Sequence, residues 1–187
     1  NSWKDSYGAL YNWHAVMNSN GLCPAGWLVP TDADWNTLGE YLGGQYVAGG
    51  KLKSTRTDPD PHPRWNDPNI GATDQFNWSA LPGGYRDYDG DFDDMGAYGL
   101  WWTSSLISGN LAWSRFINNS STTLTQNNDF SKGYGLSIRC IWEESQQSTL
   151  PTVYTLAVSD ITEPSAVSAG SIADAGAHDL PAPGPAR

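Results

Sequence analysis

All ten tryptophans of this 187-residue chain lie at or before Trp142, and beyond that point the only aromatic residue is Tyr154. Large aromatic side chains are mainly core-forming, so their boundary is a domain boundary, and residues 1–142 are expected to form one domain. A domain of about 140–150 residues buries roughly two thirds of its unfolded surface and needs no metal to hold it. Residues 143–150, "EESQQSTL", read as a linker. The remainder, 151–187, is rich in Ala, Ser, Pro and Gly and holds two β-like runs, at 152–161 and 166–172. It is too short for a core of its own. It reads as a partial immunoglobulin- or fibronectin-like β segment or as an extended tail.

Charge narrows the partners. Twenty acidic residues face ten basic ones, a net charge of −10, and no run of Lys or Arg forms a stripe that could follow a phosphate backbone. Nucleic acid and anionic membrane surfaces are therefore excluded as expected partners. No apolar stretch approaches the ~20 residues of a membrane span, so direct membrane insertion of this segment is not expected. With no initiator Met and no signal-like start, the chain is read as a mature or excised fragment. Cys23 and Cys140 each sit in an aromatic, hydrophobic setting. Either they form a disulfide, worth about 4–5 kcal/mol across so long a loop, or they are two buried free thiols.

One helix is well signalled. Thr31 is a natural N-cap, Asp32 and Asp34 put negative charge in the first turn, and Trp35, Leu38 and Leu42 recur at helical spacing until Gly43-Gly44 stops the run. A weaker candidate lies at 8–18. Beyond residue 50 no helix is expected: 51–75 reads as a long Pro- and Asp-rich loop, and from Phe76 onward short strand-like pieces alternate with turns, Asp89-Gly90 marking a hairpin. The expected fold is α+β, with two short helices on small antiparallel sheets and long loops.

Catalytic signals are absent from the pattern. His14, His62 and His178 are scattered, no phosphate-binding glycine loop occurs, and nothing pairs two carboxylates across a cleft, so an enzyme is not expected and no cofactor is implied. "RDYDGDFDDMG" offers Asp87, Asp89 and Asp91 as weak candidates for calcium, but its glycine is displaced from the loop position a calcium site requires and no bidentate Glu follows. The solvent face of a hairpin is the plainer reading. "WNDPN" at 65–69 matches the triplet of sugar-binding lectins without its partner motif and is read as coincidence. Asn77, Asn118 and Asn119 stand in glycosylation tripeptides, with nothing else to indicate that use.

The segment "SRFINNSSTTLTQNND", Ser114–Asp129, alternates like two strands joined by a turn. Trp113, Arg115, Ile117 and Leu124 are expected to point inward. Ser114, Phe116, Asn118, Thr123, Thr125 and Asn127 would then form an outward row, joined by the turn at Asn119–Ser121. Ser, Thr, Asn and aromatics without Lys or Glu are the composition of an antibody-like contact surface, and equally of an ordinary exposed strand pair.

Several stretches taken in order, "YNWHAV", "GLCPAGWLVPTDADWNTLGEYLGG", "AGGKLKST", "NWSALPGGYR", "DGDF", "YGLWWTSS", Ala112-Trp113-x-Arg115 and "GLSIRC", resemble the Fibrobacter succinogenes major paralogous domain over about residues 7–142. That resemblance implies exported surface proteins or lipoproteins of Bacteroidetes and Fibrobacter-type bacteria. It also implies a C-type-lectin-like fold related to formylglycine-generating enzymes and to hypervariable proteins of diversity-generating retroelements, some carried by phages. By that analogy the variable region corresponds to Ile107–Tyr134. The cysteine pair used in catalysis by the enzymes has no counterpart, and Cys23 and Cys140 fit the fold's disulfide instead. The family's usual first strand is missing, so the chain is expected to lack the start of the domain. The expectation is thus a non-enzymatic binding or display module on a cell surface, bacterial envelope or phage particle, facing a protein or glycan target. Its ligand-binding candidates are Ser114, Phe116, Asn118, Asn119, Thr123, Thr125, Asn127, Asp129 and Tyr134. The alternatives are a structural display domain and a calcium-dependent carbohydrate-binding domain.

Overall fold

The computed structural model describes residues 3–143, the backbone of Val153–Thr155 and that of Gly170–Ile172. The chain divides into two units, Asn1–Glu143 and Glu144–Arg187. In the second unit β8 (Val153–Thr155) pairs antiparallel with β9 (Gly170–Ile172). The rest of the expected linker and tail lies outside the described residues.

The first unit opens with α1 (Trp3–Tyr7), α2 (Trp13–Val16) and β1 (Trp27–Leu28). The 8–18 candidate condenses to four helical residues, started by Asn12, whose side chain accepts from the Ala15 amide. The well-signalled helix is α3 (Asp32–Tyr41), with Thr31 and Asp34 closing a reciprocal capping box. After Gly43 and Gly44, both at positive φ, the chain does not leave helical structure but starts α4 (Gln45–Leu52). Two expected helices thus become four among the described residues, and α4 was hidden by the glycines at its start and centre. Gly49 and Gly50 are there for contact rather than flexibility. A Cβ on Gly49 would stand 2.6 Å from the Thr123 carbonyl oxygen, and one on Gly50 2.5 Å from that of Gly71.

Short antiparallel strands follow: β2 (Tyr85–Arg86) with β3 (Phe92–Asp93), then a three-stranded sheet of β4 (Tyr98–Ser108), β5 (Leu111–Asn118) and β6 (Thr125–Asn127) in that order, and finally β7 (Ile141–Trp142) paired with β1. The α+β class stands. β5 is the central strand, with Trp101 opposite Arg115 and Leu100 opposite Phe116 on one side, and Arg115 opposite Gln126 on the other.

Cores lie on both faces of this sheet. Successive side chains of a strand point to opposite faces, and accordingly Trp101 and Ile117 join Trp35, Leu42, Leu52, Trp65 and Leu124, whereas Leu100, Trp102 and Ala112 join Trp13, Val29 and Leu136. Three buried indoles donate to backbone carbonyls, Trp13 to Thr103, Trp65 to Ala80 and Trp102 to Tyr11. Cys23 and Cys140 form a disulfide, joining the stretch after α2 to the end of the domain.

Candidate functional site

The expected outward row does not exist as one surface. With cores on both faces of β5, either set of alternating side chains is covered. Ser114 is wholly buried, its hydroxyl 3.3 Å from the Asn127 side-chain amide, and Phe116 packs against Tyr98 in the second core. Arg115 and Ile117 point inward as expected and are buried, as is Leu124; Trp113 is half-buried. Arg115 reaches α3, donating through Nε to the Asp32 carboxylate at 3.0 Å and through its terminal nitrogen to Asn36 at 2.9 Å. The amide of Gln126 holds the second Asp32 oxygen at 2.7 Å, so β6 is tied to the same helix start.

The other candidates separate. Tyr134 lies with Phe130, Tyr85 and Tyr88 in an aromatic group next to the second core, where burial, then Tyr88, Asp87 and Asp89, hold its hydroxyl above the usual phenol range. Asp129 is exposed at the end of the sheet where Lys132 closes onto Asn110, while Asn118 and Asn119 lie at the opposite end of β5. Thr125 and Asn127 are half-buried on β6.

Most polar side chains of the 118–123 turn are used by the fold. Asn118 Oδ1 accepts from the Ser120 amide, Asn119 Nδ2 donates to the Asp67 carbonyl at 3.0 Å, and the Ser121 hydroxyl accepts from the Thr123 amide. Thr122 donates to the Tyr46 carbonyl at 2.6 Å. Beneath the turn Lys53 is completely buried, and its ammonium donates to the carbonyls of Ile70, Asn118 and Ser121 at 2.8, 3.0 and 3.0 Å. Three N–H donors meet three backbone acceptors, and Trp65 stands 5.5 Å away. Burial lowers the Lys53 pKa from its usual 10.5 to about 8. The turn is therefore a preorganised element rather than a loose loop. Nothing in "AGGKLKST" distinguishes Lys53 from Lys51, whose ammonium only caps the Leu42 carbonyl.

Around this turn stand exposed aromatic and aliphatic side chains that sequence patterning did not select. Tyr41 and Tyr46 are 76% and 71% exposed, and Val47, Ile70 and Phe76 are also open to solvent. Backbone bonds lay the three segments side by side. Ile70 N donates to Asn119 O at 2.7 Å, Gln75 N to Lys51 O at 3.0 Å and Gly50 N to Thr122 O at 3.0 Å, while the Tyr41 and Phe76 rings are 5.9 Å apart. No sequence signal marks them, because the helix that carries Tyr46 and Val47 is itself masked by its glycines.

The aspartates of the β2–β3 hairpin do not converge. Asp87 Oδ1 accepts from the amides of Asp89, Gly90 and Asp91, capping its own turn, and among the described residues no three His, Cys, Asp or Glu side chains are placed to hold a metal ion. The calcium candidates Asp87, Asp89 and Asp91 are thus turn residues, as an Asp-Gly hairpin favours. Trp65 of the lectin-like triplet is a core residue.

Among the described residues no helix is long and apolar enough to cross a membrane. That and the disulfide are compatible with an extracellular protein. No curated protein and no solved structure matches the chain. The family model described as the Fibrobacter succinogenes major domain matches residues 1–142, most of the chain, and the protein belongs to that family.

Proposed function

We propose that this domain is a non-enzymatic binding module of an extracytoplasmic bacterial or phage-borne protein, and that it recognises a protein target through the aromatic face around the 118–123 turn. The observation that carries this reading is the pairing of a turn fixed from below by Lys53 with Tyr41, Tyr46 and Phe76 standing free beside it. Rigid aromatic anchors on an ordered backbone lose little entropy on binding, and exposed apolar clusters of this kind mark interaction surfaces. The reading keeps part of the region that the likeness to retroelement variable proteins singles out. It moves the anchors from Phe116 and Tyr134, which are half-buried against the second core, to side chains contributed by α3, α4 and the 70–76 loop. A C-type-lectin-like relation is part of the proposal, supported by the α+β layout with long loops.

A second reading, a structural display domain, is favoured by one observation: the hydroxyls and amides of the turn are bonded internally rather than offered outward. Surface plasmon resonance against a panel of purified envelope and host-surface proteins separates the two. Binding that weakens at least about tenfold in Tyr46→Ala, without loss of melting temperature, supports the module. A protein ligand held equally by wild type and by the Tyr41→Ser, Tyr46→Ser, Phe76→Ser triple variant contradicts the assigned face.

A further inference from the structure

A second concave surface lies away from that turn, between α1 and the β2–β3 hairpin. It is a cleft of about 540 Å³, within the range of about 300–1,000 Å³ typical of small-molecule sites. Its walls are mainly apolar: Trp3 and Tyr7 on one side, Phe92 and Met95 on the other, with backbone at Gly8 and Gly83 between them. The aromatic walls are held in place. The Tyr7 hydroxyl is 2.6 Å from His62 Nδ1 and 3.2 Å from the Arg64 amide, and Trp3 meets the His62 ring edge-on at 4.9 Å. Phe92 lies under the Arg86 guanidinium, 5.9 Å away, and is one of the most exposed aromatic residues of the domain.

Charge at the rim is the informative feature. Lys4 and Arg86 both line the cleft, and among the described residues neither makes an ion pair. Asp93 is the one carboxylate in the lining. The other aspartates of the hairpin, Asp87, Asp89, Asp91 and Asp94, lie outside the lining, and Asp87 is held by three amides of its own turn. The cleft therefore combines flat aromatic faces, two cations that make no ion pair among the described residues, and one acceptor.

We propose that this cleft binds a carboxylate-bearing sugar residue of the hexuronic acid class. The C–H face of the ring packs on Trp3 and Phe92, the carboxylate is held by Arg86 and Lys4, and Asp93 accepts from a ring hydroxyl. An uncharged hexose would leave the two cations without a partner, and a purely apolar ligand would bury all three charged groups unpaired.

Isothermal titration of the whole chain with tri-galacturonate and with uncharged galactotriose tests this. The expected result is saturable binding of the uronate only, weakened at least about tenfold by Phe92→Ala and by Arg86→Gln, and weakened again on raising salt to about 0.5 M. Phe92 and Arg86 reach solvent, so both variants should melt with the wild type. Equal binding of galactotriose, or uronate binding indifferent to Phe92→Ala, would overturn the assignment. So would an absence of heat with tri-galacturonate and glucuronate up to about 10 mM. Failure here leaves the aromatic face around the 118–123 turn untouched, because the two sites share no residue.

Discussion

Lys53 is the residue on which most of the region around the turn depends. Replacing it with Met keeps the stem's packing but leaves the carbonyls of Ile70, Asn118 and Ser121 without donors. Lys53→Met is expected to lower stability by about 3 kcal/mol in urea unfolding, given the cost of unsatisfied buried polar groups; a change below about 1 kcal/mol would contradict the role assigned to it. Its titration gives a second test. Below about pH 8 both folded and unfolded states keep the proton. Between about 8 and 10.5 the unfolded chain holds it and the folded protein has released it, so stability rises with pH through that window. The difference between wild type and Lys53→Met should accordingly shift toward the wild type by up to about 3 kcal/mol across it. A flat difference would show that the ammonium keeps its ordinary pKa in the fold. None of this was legible in the sequence, because a buried lysine satisfied by backbone carbonyls leaves no partner residue to pattern against.

Among the elements, α3 and the β2–β3 hairpin were readable because their signals are local: a capping box of Thr31 and Asp34, a helical stripe, an Asp-Gly turn. Helix α4 was not, since its glycines argue against helix on propensity and their reason is tertiary. The same substitution should therefore have opposite signs in the two helices. Gly39→Ala in α3 meets only Leu124 Cδ2 at 3.9 Å and should add up to about 1 kcal/mol. Gly49→Ala in α4 meets the Thr123 carbonyl at 2.6 Å and should cost about 1–3 kcal/mol by pushing the 118–123 turn off the helix. Thermal unfolding of both variants checks this, and a stabilised Gly49→Ala would mean that the helix and turn are not in contact. For β5 the alternation itself was legible and correctly placed Arg115 and Ile117 inside. Periodicity states that a strand has two faces, not that one of them is wet, and the second core below Ser114 and Phe116 comes from Trp13, Val29 and Leu136, distant in sequence.

At the scale of the whole domain, two cores lie on either side of one small sheet, and the Cys23–Cys140 disulfide ties together positions 117 residues apart in sequence. Opening it by a Cys23→Ser, Cys140→Ser double change is expected to cost about 4–5 kcal/mol on loop-closure entropy, seen as a lower urea midpoint; an unchanged midpoint would mean that the reduced unfolded chain is already compact. The aromatic boundary at Trp142 could be read from composition, whereas the face formed by Tyr41, Tyr46 and Phe76 could not, because three separate segments build it. That face is the centre of the functional account, and its most direct test is the affinity of a protein target for wild type and for the Tyr41→Ser, Tyr46→Ser, Phe76→Ser variant, with melting temperatures measured alongside. The prediction is a loss of at least about a hundredfold in affinity with the melting temperature preserved; undiminished affinity in a folded triple variant would contradict it.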